Sequence, residues 1–294
     1  MTSRKLKEKC IDLFFLFSGL FTVLVLSGIF LMLFLNGLKT FKVVRLADFF
    51  FGTVWNPSAY SHPSYGILAM LAGTFLVTFG AILIALPLGI GTAAYLSEMA
   101  GSRTREIIKP IIEILAAIPS VVIGFLGIVL VGPLISKVFG LNSGLNALNG
   151  AILLAVMSLP TIISVSEDAI RAVPHPYKEA SYALGANRWE TLIRVIIPAA
   201  VSGIVAAVVL GIGRAIGETM TILMVTGNVL AMPHGIFDSV RTITATIAIE
   251  LGEVAYGTTH YYSLFAIGTI LFLISFLVNL AAEYFSGKYR RYKI

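Results

Sequence analysis

Arg214 and Glu218 stand four residues apart in the stretch LGIGRAIGETM, residues 210–220, in the middle of a long apolar run. A charged side chain near a bilayer centre raises the free energy of insertion by about 2.5 to 3.5 kcal/mol on insertion scales. Two roles would offset that penalty. On a continuous helix the two residues lie one turn apart on one face, where they can pair and lower each other's desolvation penalty as a structural ion pair. Alternatively, they face a water-filled cavity, where intramembrane ionisable residues mark a solute path. An arginine fork donates two parallel hydrogen bonds to neighbouring oxygens of a tetrahedral oxyanion. A glutamate would repel sulfate, yet it can accept a hydrogen bond from a protonated phosphate oxygen. No enzyme-like set accompanies the pair: His62, His175, His234 and His260 are scattered over expected loops and a span edge, and no Cys/His grouping has the spacing of a metal site. No catalytic residue and no metal ligand is therefore assigned.

The elements that must position this pair are membrane helices. Of 294 residues, 57% are hydrophobic and only 12% charged, and the mean hydropathy is +0.93, whereas a soluble domain is about a quarter charged. Uncharged stretches of about 20 residues read as spans. Six are expected, at 13–35, 66–96, 114–137, 148–165, 199–225 and 261–282, giving an all-α polytopic membrane protein. The segment RTITATIAIELGE, between the fifth and sixth, is too short to cross and should re-enter from, or lie along, one face.

The positive-inside rule orients the count. With the amino terminus inside, fifteen Lys and Arg fall in inner segments: four in the first nine residues, then Arg103, Arg105, Lys109, Arg171, Lys178, Arg188 and Arg194, and four after residue 287. Lys39, Lys42, Arg45, Lys137 and Arg241 fall outside. Both termini are therefore expected in the cytoplasm, in a multi-pass inner-membrane protein. The net charge of +6 is explained by topology, and no aromatic-interleaved basic patch points to nucleic acid. The first apolar run is too long for a secretory h-region and reads as a retained anchor helix. Cys10, the single cysteine, cannot form an internal disulfide. The expected organisation is a tail, anchor and outer-face linker at 1–65, a five-helix core at 66–282 and a cytoplasmic tail at 283–294.

Pro87, Pro119 and Pro160 each fall within an expected span, where prolines shape packing. In the fifth span Gly203, Ala207 and Gly211 recur every four residues, and Gly213 and Gly217 form a GxxxG, small faces that permit close helix approach within the bundle or to a second subunit. VVLGIGRAIG resembles a dinucleotide fingerprint, but its third glycine is off register and no βαβ context follows. No GxxxxGK(S/T) phosphate loop exists either, so any ATPase must be another polypeptide.

The long inner segment between the fourth and fifth spans reads as an elbow. Pro174 and Pro176 break the chain, YKEASYAL forms a short helix with Glu179 in its first turn, and Gly185 ends it. A second short helix follows at 188–197, with Trp189, Leu192, Ile193 and Ile196 at helical spacing. The pair is a knob for a cytoplasmic partner or, more blandly, an amphipathic pair resting on the bilayer.

Glu179, Ala180, Gly185 and Pro198, in the pattern EAx4Gx12P, resemble the EAA loop of binding-protein-dependent ABC importer permeases, with Ser181 where a second alanine is usual. IPSVVIGFLG, LPTIISVSEDAIRAVP, GIGRAIGETM and RTITATIAIELGE extend the resemblance to the PstC-type permeases of phosphate-specific (Pst) importers. The resemblance implies a five-helix type I importer core and a coupling helix, with Glu179, Ala180, Ser181, Gly185 and Pro198, that docks on an ATP-binding subunit. It places Arg214, Glu218 and Thr219 on the substrate pathway. It further implies a PstA-type permease partner, a PstB-type ATPase dimer that carries the ATP and Mg²⁺, and a phosphate-binding protein; this chain itself holds no cofactor. Molybdate and sulfate permeases are the nearest alternatives, and a membrane scaffold with a structural ion pair is the alternative of another class.

Overall fold

The structure, a computed structural model, describes residues 2–291. Helix α1 (Thr2–Leu38) leads through a 3-10 turn (Lys39–Lys42) to α2 (Leu46–Phe51) and a small antiparallel hairpin, β1 (Trp55–Asn56) with β2 (Ser64–Tyr65). Helix α3 (Leu68–Ala94) ends in a π turn (Tyr95–Met99), and α4 (Ser102–Ala117) follows it. Next come α5 (Ser120–Leu126), a π turn (Gly127–Val131) and α6 (Gly132–Phe139), then α7 (Ala147–Arg171) and α8 (His175–Ala183). Helix α9 (Arg188–Thr191) continues through a π turn (Leu192–Ile196) into α10 (Ile197–Gly217), and α11 (Met220–Val225), α12 (Ile243–Glu250) and α13 (Thr259–Arg291) complete the chain.

Among the described residues, six stretches are long and apolar enough to cross a bilayer: Ile11–Lys42, Leu68–Met99, Ser120–Phe139, Ala147–Arg171, Arg188–Gly217 and Thr259–Ala281. The expected number of spans holds, and α12, eight residues long, rises only about 12 Å and does not cross. Lys293 of the basic tail lies outside the described residues.

Three boundaries differ from the expectation. The third spanning stretch begins at Ser120, because Pro119 has extended backbone and no N–H to continue a helix. Residues 114–117 belong instead to α4, an amphipathic helix that exposes Ile107, Ile111 and Ile114 while Arg105 and Lys109 turn inward. The second elbow helix is no separate element, since Arg188–Gly217 is one continuous helical rod. Finally, the fifth span stops at Gly217: Glu218 is extended (φ −69°, ψ 131°), and residues 220–225 form the separate α11.

Helices α3, α7 and α10 form the centre. Ile162 of α7 is wedged between two glycines: a β-carbon on Gly89 of α3 would lie 2.6 Å from its Cγ2, and one on Gly211 of α10 would lie 2.7 Å from its Cγ1. Gly203 meets Ala169 of α7 in the same way, so the Gly203/Ala207/Gly211 stripe is the α10–α7 contact. A β-carbon on Gly213 or Gly217, by contrast, would meet nothing within 4 Å in this chain. Pro87 and Pro160 lie inside α3 and α7 without ending them. Helix α1 stands largely exposed and joins the bundle near its end, where the Phe30 ring lies 5.2 Å from that of Phe272 in α13.

The long loop at 226–242 is a structured cap. Ala147 and Leu148, whose N–H groups start α7 without helical partners, donate to the carbonyls of Asp238 and Ile236 at 2.9 and 2.8 Å. The Asn146 side chain accepts from Asn149 N–H at 3.0 Å. The loop's own turn is set by the Asp238 carboxylate, held below its usual pKa range by the N–H groups of His234 and then Gly235.

Candidate functional site

Three interrupted helices meet around Glu218. Its carbonyl oxygen, freed where α10 stops, accepts the Thr244 hydroxyl of α12 at 2.9 Å. Its carboxylate accepts the N–H of Thr221 at 3.3 Å, at the start of α11, where a negative group favours the helix dipole. The Thr221 hydroxyl reaches the carbonyl of Ser120, the first residue of α5, at 3.0 Å. Thr219 Oγ1 donates to Gly217 O at 3.3 Å. Helix α12 is fixed in turn by Thr74 of α3, whose Oγ1 accepts the N–H of Ile243 at 3.1 Å. Irregular backbone at membrane depth persists only inside protein or beside a water-filled cavity, and transporters build substrate sites from such broken helices.

Of the two roles open to them, Arg214 and Glu218 do not form the structural ion pair. Because the helix ends between them, they share no continuous face. Among the described residues Arg214 has no carboxylate or acceptor partner, and its side chain is exposed in this chain, whereas Glu218 is half-buried. Arg214 occupies the last turn of α10, where a cation is favoured by the carbonyl end of the helix dipole. The break thus carries an unpaired guanidinium on the last turn of α10, followed by the Glu218 carboxylate and the Thr219 hydroxyl.

The elbow lies at the opposite end of α10. Glu179 is in the second turn of α8, not the first as expected, because the helix already begins at His175; its carboxylate meets His175 Nδ1 at 3.1 Å. Gly185 ends the helix with φ +86°, a left-handed conformation that favours glycine. Asn187 and Glu190 then form a reciprocal capping box that starts α9. Ser181 is buried, and its hydroxyl meets that of Thr191 at 2.9 Å, which pins the two arms together. Ala180 and Ser181 line a cavity of about 540 Å³ with Tyr177, Leu184, Gly185, Glu190 and Arg194. Leu184 is 90% exposed and Trp189 59%, so the knob presents apolar side chains outward. Pro198 is exposed near the start of α10.

Ionic clusters away from the break were not singled out from sequence. At the far face, Glu250 accepts from Trp55 Nε1 at 3.0 Å and Arg241 Nη1 at 3.0 Å, and its other contact is His260 Nε2 at 2.8 Å. This hub ties the linker hairpin, α12 and α13 around a cavity of about 690 Å³. At the elbow face, Glu167 of α7 is 1% exposed with Arg105, Lys109 and Arg171 at 3.4 to 3.8 Å. For Glu250 the available signal was a lone carboxylate flanked by apolar residues, AIEL; Glu167, in VSED, carried no such signal.

Residues 85–291 match the family described as binding-protein-dependent transport system inner membrane component. Over 270 residues the chain is 39% identical to the probable ABC transporter permease protein YqgH of Bacillus subtilis, covering 90% of this chain and 87% of that one. It is 36% identical over 286 residues to the phosphate transport system permease protein PstC of Mesorhizobium japonicum, covering 91% and 86%. A crystal structure of a bacterial alginate ABC transporter superposes with TM-score 0.61 at 17% identity, over 93% of this chain and 94% of that one. The inward-facing methionine transporter MetNI does so with TM-score 0.57 at 21% identity, over 76% and 94%. These last two establish the type I importer permease fold alone. The chain belongs to the binding-protein-dependent transport system inner membrane component family, as an ABC-importer permease that resembles the PstC-type members over nine tenths of its length.

Proposed function

We propose that this permease forms half of the translocation path of an ATP-driven importer of inorganic phosphate. The observation that carries the substrate assignment is the break at Gly217–Thr219, which leaves Arg214 without a carboxylate partner and Glu218 in extended backbone immediately after the end of its helix. Arginine suits the tetrahedral anion, and Glu218 favours one that retains a proton. The resemblance to permeases named for phosphate transport supports the same reading. The other half of the path is a PstA-type permease, for which the unoccupied Gly213/Gly217 face of α10 is suited.

ATP and Mg²⁺ bind on a PstB-type ATPase dimer, which receives α8 and the exposed Leu184 and Trp189. Glu179, Ala180, Ser181, Gly185 and Pro198 shape that knob. A phosphate-binding protein delivers the anion at the far face. Both termini and the elbow lie in the cytoplasm, and residues 66–282 make up the transport core.

The test is uptake by the complete complex in proteoliposomes supplied with the binding protein, ATP and labelled phosphate. ATP-dependent phosphate accumulation that excess sulfate or molybdate does not suppress supports the reading. Accumulation of sulfate or molybdate in place of phosphate would redirect it to another oxyanion.

A further inference from the structure

Lys178, one position before Glu179 in α8, donates to Glu98 Oε1 at 2.5 Å. The two side chains are 15% and 13% exposed, whereas those of the neighbouring pair His175–Glu179 are 78% and 68% exposed. A pair so enclosed is little screened by water and keeps its geometry, which an exposed pair does not. Glu98 lies in the π turn Tyr95–Met99 that ends the second span. The same turn is held from its other side by α4, because Arg105 donates through Nε to Leu96 O at 3.0 Å and through Nη2 to Ser97 O at 3.0 Å. Three consecutive residues of one turn are thus held from two other helices, and π turns are frequent at functional sites.

From that turn, contacts run without a gap to the charged break. Helix α3 carries Gly89 against Ile162 and, nearer its start, Thr74, whose Oγ1 accepts the N–H of Ile243. Thr244, the next residue of α12, holds the Glu218 carbonyl. Packed helices shift as rigid elements, so a pull on Glu98 is felt at both ends of α3.

We propose that the Lys178–Glu98 ion pair is the tie that carries elbow displacement to the second span, and through it to Glu218. Both are positioning residues, and the inference rests on the reading of the elbow as the ATPase-docking knob. A double-mutant cycle measures the coupling between them.

The experiment uses the complete complex in proteoliposomes, with inorganic phosphate and ATP, and reads phosphate moved per ATP hydrolysed. Lys178→Glu and Glu98→Lys should each lower that ratio about fivefold or more, and the double exchange should return it to within about twofold of the parent, as a coupled pair requires. Glu98→Gln and Lys178→Gln, which keep size, should lower it too, and they carry the test if a charge reversal does not accumulate. A parental ratio in the neutral variants, or a double exchange as defective as either single one, overturns the tie. Leu184→Glu probes docking separately. Undiminished ATPase co-purification in that variant refutes docking through the elbow. A flat ratio across the Lys178/Glu98 set, with co-purification lost in Leu184→Glu, refutes the tie alone.

Discussion

The hydroxyl of Thr244 donates to the carbonyl oxygen of Glu218 at 2.9 Å, joining the first turn of α12 to the point where α10 stops. That one bond places the short re-entrant helix against the charged break. Thr244→Val keeps the shape and removes the donor, and the loss of one part-buried hydrogen bond is destabilising by about 1 kcal/mol. The detergent-solubilised protein should melt a few degrees lower, and phosphate uptake should fall with assembly intact. Unchanged melting and uptake would show that α12 is held without it.

The glycine contacts of α10 separate into two groups with opposite expectations. Gly211→Val drives a side chain into Ile162, and overpacking of this kind is destabilising by about 1 to 3 kcal/mol. Gly213→Val meets nothing in this chain, so its melting should stay at the parental value while its co-purification with the second permease falls. Thermal melting of the isolated chain and pull-down of the partner distinguish the two.

At the elbow, Gly185→Ala places a β-carbon at φ +86°, a strain of about 1 to 2 kcal/mol. Asn187→Ala removes the capping box, a loss of about 1 kcal/mol. Both should leave insertion unchanged and weaken binding-protein-stimulated ATP hydrolysis, measured on the complex. Stimulation equal to the parent in both variants would favour an elbow that merely rests on the bilayer.

The far-face hub predicts a local loosening. Glu250→Ala leaves the Trp55 indole N–H without its acceptor and removes the partner of Arg241 Nη1 and His260 Nε2, at about 1 to 3 kcal/mol for each group so stranded. Emission from Trp55, buried at 4% exposure, should shift to the red as water enters, in a protein that also carries Trp189→Phe to remove the second indole. An unshifted spectrum would show that the hairpin is held by packing alone.

Much of the architecture was legible because hydropathy and charge are additive along a chain. The number of spans, the non-spanning TITATIAIEL and the glycine that ends α8 all follow from local composition. The end of α10 was not legible, since residues 199–225 are apolar on both sides of Glu218, and the break is held by long-range bonds, Thr244 to the Glu218 carbonyl and Thr221 to the Ser120 carbonyl. Reading a continuous helix kept open an Arg214–Glu218 ion pair as one of two roles, and the structure lacks that pair. The start of the third spanning stretch escapes composition for a related reason: a proline inside an apolar run reads as a packing residue, although α5 begins just after Pro119. The elbow ties Lys178–Glu98 and Arg105–Glu167 join residues far apart in sequence, and no local pattern announces them.

The most direct test of the central claim is phosphate uptake by the assembled complex carrying Arg214→Gln, with Glu218→Gln beside it. Because Arg214 is exposed and without a carboxylate partner, neither change strands a buried charge, and the loss of about 3 to 5 kcal/mol expected on breaking a buried pair should not appear. The account predicts normal assembly and melting in both, no uptake in Arg214→Gln, and impaired uptake or weaker rejection of sulfate in Glu218→Gln. Full phosphate uptake by the Arg214→Gln complex would contradict a pathway role for the charged break.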